Sequence, residues 1–224
     1  MTGQTAPAFA SVVLDVDSTL CGIEGIDWLA AKRGEAIARA VTEQTDRAMR
    51  GEIPLESVYG ARLDLARPAL GDIDDLSRAY EHALAPGARE AIAAWQGRGI
   101  RVVLVSGGIR QAILPVATSL GIPADDVHAV MIHLGPDGDY AGFDGSSALA
   151  TATGKGDVVA GLSLPRPTLA VGDGVTDLAM REHAEMFCAF TGFGARSAVT
   201  TQADVSAESF AELSGIVLAG IRRD

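Results

Sequence analysis

Three short segments of this chain share one pattern, a β-branched apolar run that stops at a polar or glycine-rich turn. They are SVVLDVDST (Ser11 to Thr19), RVVLVSGG (Arg101 to Gly108) and TLAVGDGVTD (Thr168 to Asp177). Continuous apolar runs suit strands buried on both faces, as in a parallel sheet covered by helices. Between the later two lie QAILPVATSL and KGDVVAGL, which have helical patterns. Strand and helix in alternation predict a doubly wound α/β domain. Ligands of such sheets bind beyond the carboxyl ends of the strands, where all three turns fall. The turns are therefore expected to converge on one site.

The stretch after the first strand reads differently. Apolar positions recur at helical spacing (Ile26, Leu29, Ala30; Leu63, Leu65, Leu70; Leu76, Tyr80, Leu84), and Gly51, Pro54, Pro68 and Gly71 punctuate them. A helical insertion of this length exceeds a simple crossover. Residues 22–84 are expected to form a mainly helical cap domain, inserted in an α/β core made from 1–21 and 85–224. A second insertion, AVMIHLGPDGDYAGFDG, predicts a small β-hairpin turning at Pro136 to Asp139.

The balance of 48% hydrophobic and 21% charged residues is that of a globular protein, and no run is long enough for a membrane span. The net charge of −11 disfavours nucleic acid and anionic membranes as partners. Any phosphate site must then be made locally positive by a metal, a few placed cations or helix N-termini. Cys21 and Cys188 lack metal-ligand spacing and are expected to be packed, reduced thiols. The N-terminus has no basic region ahead of an apolar stretch, so a cytoplasmic protein is expected.

Asp15 and Asp17 stand two apart at a strand end, which would send both carboxylates from one face. They suit a solvated turn, a metal site, or a nucleophile with an acid–base partner. The second acidic turn, with Asp173, Gly174 and Asp177, favours metal chemistry. Mg²⁺ takes hard oxygen ligands, and Asp15, Asp173 and the backbone carbonyl of Asp17 fit that demand. Asp177 is expected to orient a metal-bound water or brace the loop. Ser106, followed by Gly107 and Gly108 at an expected helix start, would make an anion cradle. Lys155 in GKG starts another helix; taken alone it reads as a solvated lysine.

The ordered set DVDST, LVSGG, GKG and VGDGVTD resembles the four signature motifs of the haloacid dehalogenase-like phosphatase superfamily. The chain is further similar to the phosphoserine phosphatase family in EGID (Glu24 to Asp27), RAM (Arg47 to Met49), Arg62, SGGIR (Ser106 to Arg110) and DYAGFD (Asp139 to Asp144). That resemblance implies Mg²⁺-dependent hydrolysis of O-phospho-L-serine, the last step of serine biosynthesis, by a monomer or homodimer. Asp15 would be the nucleophile and Asp17 the general acid and then base. Lys155, Ser106, Gly107 and Thr176 would hold the phosphate. Glu24 would pair with the substrate ammonium, Arg62 with its carboxylate, and Met49 would pack against its stem.

Arg50 and Leu55 depart from the family pattern, which bears on pocket shape rather than chemistry. One rival reading is a phosphatase or phosphotransferase for another small phosphomonoester. Another is a phospho-acceptor signalling domain, which would need neither Asp17 nor a cap. The histidines His82, His128, His133 and His183 share no ligand spacing. Trp28 and Trp95 read as packing residues.

Overall fold

The computed structural model describes residues 8–49 and 53–219. Its elements begin with β1 (Ser11–Leu14) and the helices α1 (Gly25–Lys32), α2 (Glu35–Met49), α3 (Leu55–Ala66) and α4 (Leu70–His82). There follow α5 (Ala88–Gln96), β2 (Arg101–Ile109), α6 (Arg110–Ser119), β3 (Val127–Val130), β4 (Ile132–Leu134) and β5 (Tyr140–Phe143). The last are α7 (Gly154–Gly161), β6 (Thr168–Gly172), β7 (Met186–Phe190), α8 (Ser197–Thr200), β8 (Val205–Ala207) and α9 (Phe210–Ala219).

Six strands form one sheet in the order β3-β2-β1-β6-β7-β8, with every neighbouring pair parallel. The strand order reverses at β1, so β1 lies between β2 and β6, and all three expected polar turns open at one edge. All four residues of β1 are buried, as are Leu104 and Val171, the register partners of Leu14 on either side. Each fully buried Leu or Val contributes about 1.5–3 kcal/mol, and this central trio ties the site to the best-packed part of the molecule.

Between β1 and β2, α1 to α4 bury Leu29, Val41, Leu63 and Leu76, which are continuous with the hydrophobic core of the sheet. The chain enters and leaves this bundle at adjacent points. Gly22 N–H donates to Ala83 O at 2.8 Å, Ala85 N–H to Leu20 O at 2.9 Å, and Cys21 pairs with Leu84 in an antiparallel bridge. The hairpin β4–β5 is antiparallel, with Gly138 in its turn at φ 82°. Among the described residues, no helix is long and apolar enough to cross a membrane.

Three expectations need correction. Leu70 does not share a helical stripe with Leu63 and Leu65, because Arg67 (φ 38°) and Pro68 break the helix between them. Leu70 instead starts α4, 54% exposed, with its N–H on the hairpin's Gly138 O at 2.8 Å. The first strand also stops at Leu14, well short of Thr19. Asp15 and Asp17 therefore reach one pocket through a turn, with Ser18 at φ 55° and Val16 buried between them, rather than by strand alternation. Thirdly, Gly107 and Gly108 prolong β2, and α6 begins only at Arg110. Gly108 N–H is turned onto Ser106 Oγ at 2.9 Å and is not offered to a ligand.

Candidate active site

The turns after β1, β2 and β6 and the start of α7 meet the helical insertion around a pocket of about 450 Å³. Asp15, Asp17, Glu24, Arg62, Gly107, Lys155, Asp173, Thr176 and Asp177 all line it. Ser106 is fully buried beside them, its hydroxyl on Asp17 Oδ2 at 3.2 Å. Met49 ends α2, but its side chain lies outside the described residues, as do Arg50 and the side chain of Leu55.

At the floor, Lys155 Nζ donates to Asp15 Oδ1 at 2.6 Å and to Asp177 Oδ1 at 2.5 Å. Three glycines permit this closeness. A Cβ on Gly154 would sit 1.7 Å from Ala148 O, one on Gly156 2.5 Å from Ala179 O, and one on Gly172 2.2 Å from Asp177 Cγ. The other oxygen of Asp177 accepts Gly174 N–H at 2.8 Å, which fixes the acidic turn. Burial alone would push the Lys155 ammonium down; Asp15 and Asp177 outweigh it, and its pKa is raised.

The carboxylates carry the opposite burden. Burial, then Asp177, holds Asp15 well above the usual range and pushes Asp173 up to about 7, although Arg196 Nη1 lies 2.8 Å from Asp173 Oδ2. Burial and then Glu24 push Asp17 up to about 6, against the hydrogen bonds from Tyr80 and Gly25. Among the described residues, six carboxylates line the pocket against three cations, Arg62, Lys155 and Arg196. Asp15, Asp173 and Asp177 each offer a carboxylate oxygen, all within 4.8 Å of one another and all buried. A hard-oxygen set with excess negative charge suits a divalent cation, which would reverse the upward shifts. The expected set differs by one carboxylate, since Asp177 stands in the cluster while also holding Lys155.

The substrate end is built from the insertion. Arg62 Nη2 bonds Asp27 Oδ2 at 2.5 Å, and Arg62 Nε is buried with no hydrogen-bond partner among the described residues. Glu24 Oε1 accepts the Ser18 hydroxyl at 2.8 Å, and Arg196 stands 3.7 Å away. Tyr59 OH donates to Gly107 O at 2.7 Å, and Glu56 Oε1 accepts Ala152 N–H at 3.2 Å, joining α3 to the core across the pocket.

Sequence reasoning missed Tyr59, Tyr80 and Arg196. Arg196 follows the end of β7, at the same sheet edge as the other turns, so extending the carboxyl-end rule to the apolar run MFCAF would have found it. The cysteines behave as expected: Cys21 and Cys188 are buried and unpaired, and burial pushes both thiols up, which disfavours nucleophilic thiolate.

A buried aspartate bonded to a lysine thus lies at the carboxyl edge of a parallel sheet, beside a carboxylate cluster able to hold a cation. The haloacid dehalogenase-like hydrolase family matches residues 12–182, and the chain belongs to it. It is 36% identical to human phosphoserine phosphatase over 208 residues, covering 92% of each chain. It is 39% identical to the chloroplastic phosphoserine phosphatase of Arabidopsis thaliana over 199 residues, covering 87% of this chain and 67% of that one. A solved phosphoserine phosphatase carrying a phospho-aspartyl intermediate analogue superposes with a TM-score of 0.76 at 27% identity, covering 93% of this chain and 98% of that chain.

Proposed function

We propose that the protein is a phosphoserine phosphatase that hydrolyses O-phospho-L-serine to L-serine and phosphate through a phosphorylated Asp15. The observation that carries this reading is the meeting of Asp15, Asp17, Lys155 and Asp173 with Glu24 and Arg62 in one pocket, in a chain related along nearly its whole length to enzymes of that name.

Asp15 attacks phosphorus, the bond from phosphorus to the seryl oxygen breaks, and that oxygen takes a proton from Asp17. Water then attacks the aspartyl-phosphate, gives its proton to Asp17, and the bond to Asp15 breaks to release phosphate. Asp17 stands within reach of these transfers in the pocket it lines with Asp15 and Lys155. Lys155 and the Ser106 hydroxyl hold phosphoryl oxygens, with Gly107 and Thr176 at the rim. Asp15, Asp173 and the backbone carbonyl of Asp17 would hold a divalent cation, which we propose to be Mg²⁺, with Asp177 bracing the loop. When bound, Mg²⁺ offsets charge on the transferred phosphoryl group.

Residues 22–84 form a cap over the α/β core made by the flanking stretches, and it supplies selectivity. Glu24 takes the substrate ammonium, and the unpartnered Nε of Arg62, with its planar fork, takes the carboxylate. Met49 packs on the substrate stem. A cytoplasmic setting is supported by the two unpaired, buried cysteines.

The test is phosphate release from O-phospho-L-serine, phosphothreonine, a sugar phosphate and an aryl phosphate, with Mg²⁺ and with EDTA. Preference for phosphoserine that vanishes in Arg62→Ala, with all turnover lost in Asp15→Asn, is the expected result. Metal-dependent aryl phosphate hydrolysis without that preference would overturn the substrate assignment and leave the chemistry standing.

A further inference from the structure

Asp17 is held from two sides by groups of different origin. Its Oδ1 accepts the Tyr80 hydroxyl at 2.7 Å and the Gly25 N–H at 2.7 Å. Its Oδ2 accepts the Ser106 hydroxyl at 3.2 Å, and a Cβ built on Gly108 would stand 2.8 Å from it. Among the described residues, the donors to Oδ1 thus come only from the helical insertion, while the core approaches Oδ2. Tyr80 is fully buried on α4, and its hydroxyl lies where a side chain on residue 25 would begin: a Cβ there would be 2.1 Å from the oxygen. Glycine at 25 and tyrosine at 80 are therefore one fitted pair around one carboxylate oxygen. A phenol buried this deeply needs an acceptor, and Asp17 supplies it.

We infer that Tyr80 is a positioning residue for Asp17: with Gly25 it holds Oδ1, and so fixes the plane of the carboxyl group and the direction in which Oδ2, the oxygen on the core side, faces. The inference rests on the reading of Asp17 as the acid–base group. Two donors on one carboxyl oxygen fix the plane in which the other oxygen lies, and with it the line along which a proton can pass. In the first half-reaction the Oδ2 proton passes to the seryl oxygen as its bond to phosphorus breaks. In the second, Oδ2 takes a proton from the attacking water as the bond from phosphorus to Asp15 breaks. Tyr80 keeps its own proton throughout, because burial, and then the charge of Asp17, raise its pKa well above that of an ordinary phenol.

Placement adds to this. Gly25 and Tyr80 lie three residues inside the two crossings at Gly22 and Ala83, which are joined by the 2.8 Å hydrogen bond. The clamp is at the root of the insertion, where any rocking of the helices displaces it least. Tyr59 and Glu56, which touch the far wall, are on α3 away from that root.

The test is Tyr80→Phe, which removes one oxygen and keeps the ring. On O-phospho-L-serine, kcat is expected to fall about tenfold, a part of the roughly 10²–10⁴ that general acid–base catalysis supplies. KM and the Mg²⁺ half-saturation should move less than about twofold, since neither binding nor the cation uses the hydroxyl. The deciding readout is rapid mixing with p-nitrophenyl phosphate, whose leaving group departs without a proton. The variant should release one p-nitrophenol per site at the wild-type rate, then turn over about tenfold more slowly because the water step still needs Asp17. An unchanged kcat on both substrates would overturn the inference. So would a burst that slows in proportion to steady turnover, alongside a lowered melting temperature, since that marks a packing role only. If the wild type ignores phosphoserine but hydrolyses the aryl ester, the substrate assignment fails while the burst still judges Tyr80.

Discussion

Lys155 Nζ lies 2.6 Å from Asp15 Oδ1 at a depth where the lysine side chain is 8% exposed and the aspartate 4%. Removing one partner of so buried a pair leaves an uncompensated charge, at a cost of about 3–5 kcal/mol. Lys155→Met is expected to abolish turnover and to lower stability by that amount in urea denaturation at neutral pH. The loss should shrink in acid, where Asp15, its pKa raised by burial, protonates. A pH-independent loss would show that packing, not charge, is what the lysine supplies.

The partnerless Nε of Arg62 beside the Arg62–Asp27 ion pair defines a second prediction. Charge-assisted hydrogen bonds contribute about 1.5–3 kcal/mol, so Arg62→Ala should lower kcat/KM for O-phospho-L-serine about 10- to 100-fold. Aryl phosphate turnover should be unaffected. Arg62→Lys should recover little, because a point charge cannot reproduce the fork. Equal losses on both substrates would move Arg62 from selectivity to chemistry.

A pH dependence follows from the acidic cluster. The folded-state pKa of Asp17 is raised to about 6, and that of Asp173 to about 7, from the ordinary 3.8. Between 3.8 and those values the folded protein holds protons that the unfolded chain has released, so these groups lose stabilising effect as pH rises across that window. In metal-free protein, Asp173→Asn should therefore raise the melting temperature more near pH 7 than near pH 5. Mg²⁺ at a hundred times its Kd should add about 2.7 kcal/mol at neutral pH, and visibly less in acid. A metal effect that does not vary with pH would count against the carboxylates as its ligands.

Gly172→Ala tests the acidic turn through space alone. Its Cβ would stand 2.2 Å from Asp177 Cγ, so Asp177 must rotate away from Lys155 and from the Gly174 N–H. Activity should fall at least about tenfold and Mg²⁺ half-saturation should rise. Gly215→Ala, on α9 with nothing within 4 Å, should keep full activity and gain about 0.5–1 kcal/mol from helix propensity. Wild-type Mg²⁺ dependence in Gly172→Ala would mean Asp177 has room elsewhere.

The sheet was legible because β1, β2 and β6 each hold an unbroken apolar run, VVL, VVLV and LAV, the mark of strands covered on both faces. The site was legible because its polar residues sit next to those runs in the chain. What stayed hidden depends on distance in sequence. Tyr80 is 63 residues from Asp17 and read as one more apolar position at helical spacing, although its buried hydroxyl demands a partner. Leu70 misled because periodicity carries across a break that Arg67 and Pro68 impose. The glycines after Ser106 suggested a helix start; instead β2 continues through them, and the serine, not a ligand, takes the Gly108 N–H.

The adjacent crossings at Leu20–Gly22 and Ala83–Ala85 make the helices between them a cassette that could be exchanged at two neighbouring cuts. Such a transplant would not be neutral for the chemistry. Gly25 and Tyr80 travel with the cassette, and with them both grips on Oδ1 of Asp17. A foreign cassette chosen to admit a new phosphate ester would thus meet Asp15 and Lys155 intact, but would have to bring its own donors to steady Asp17.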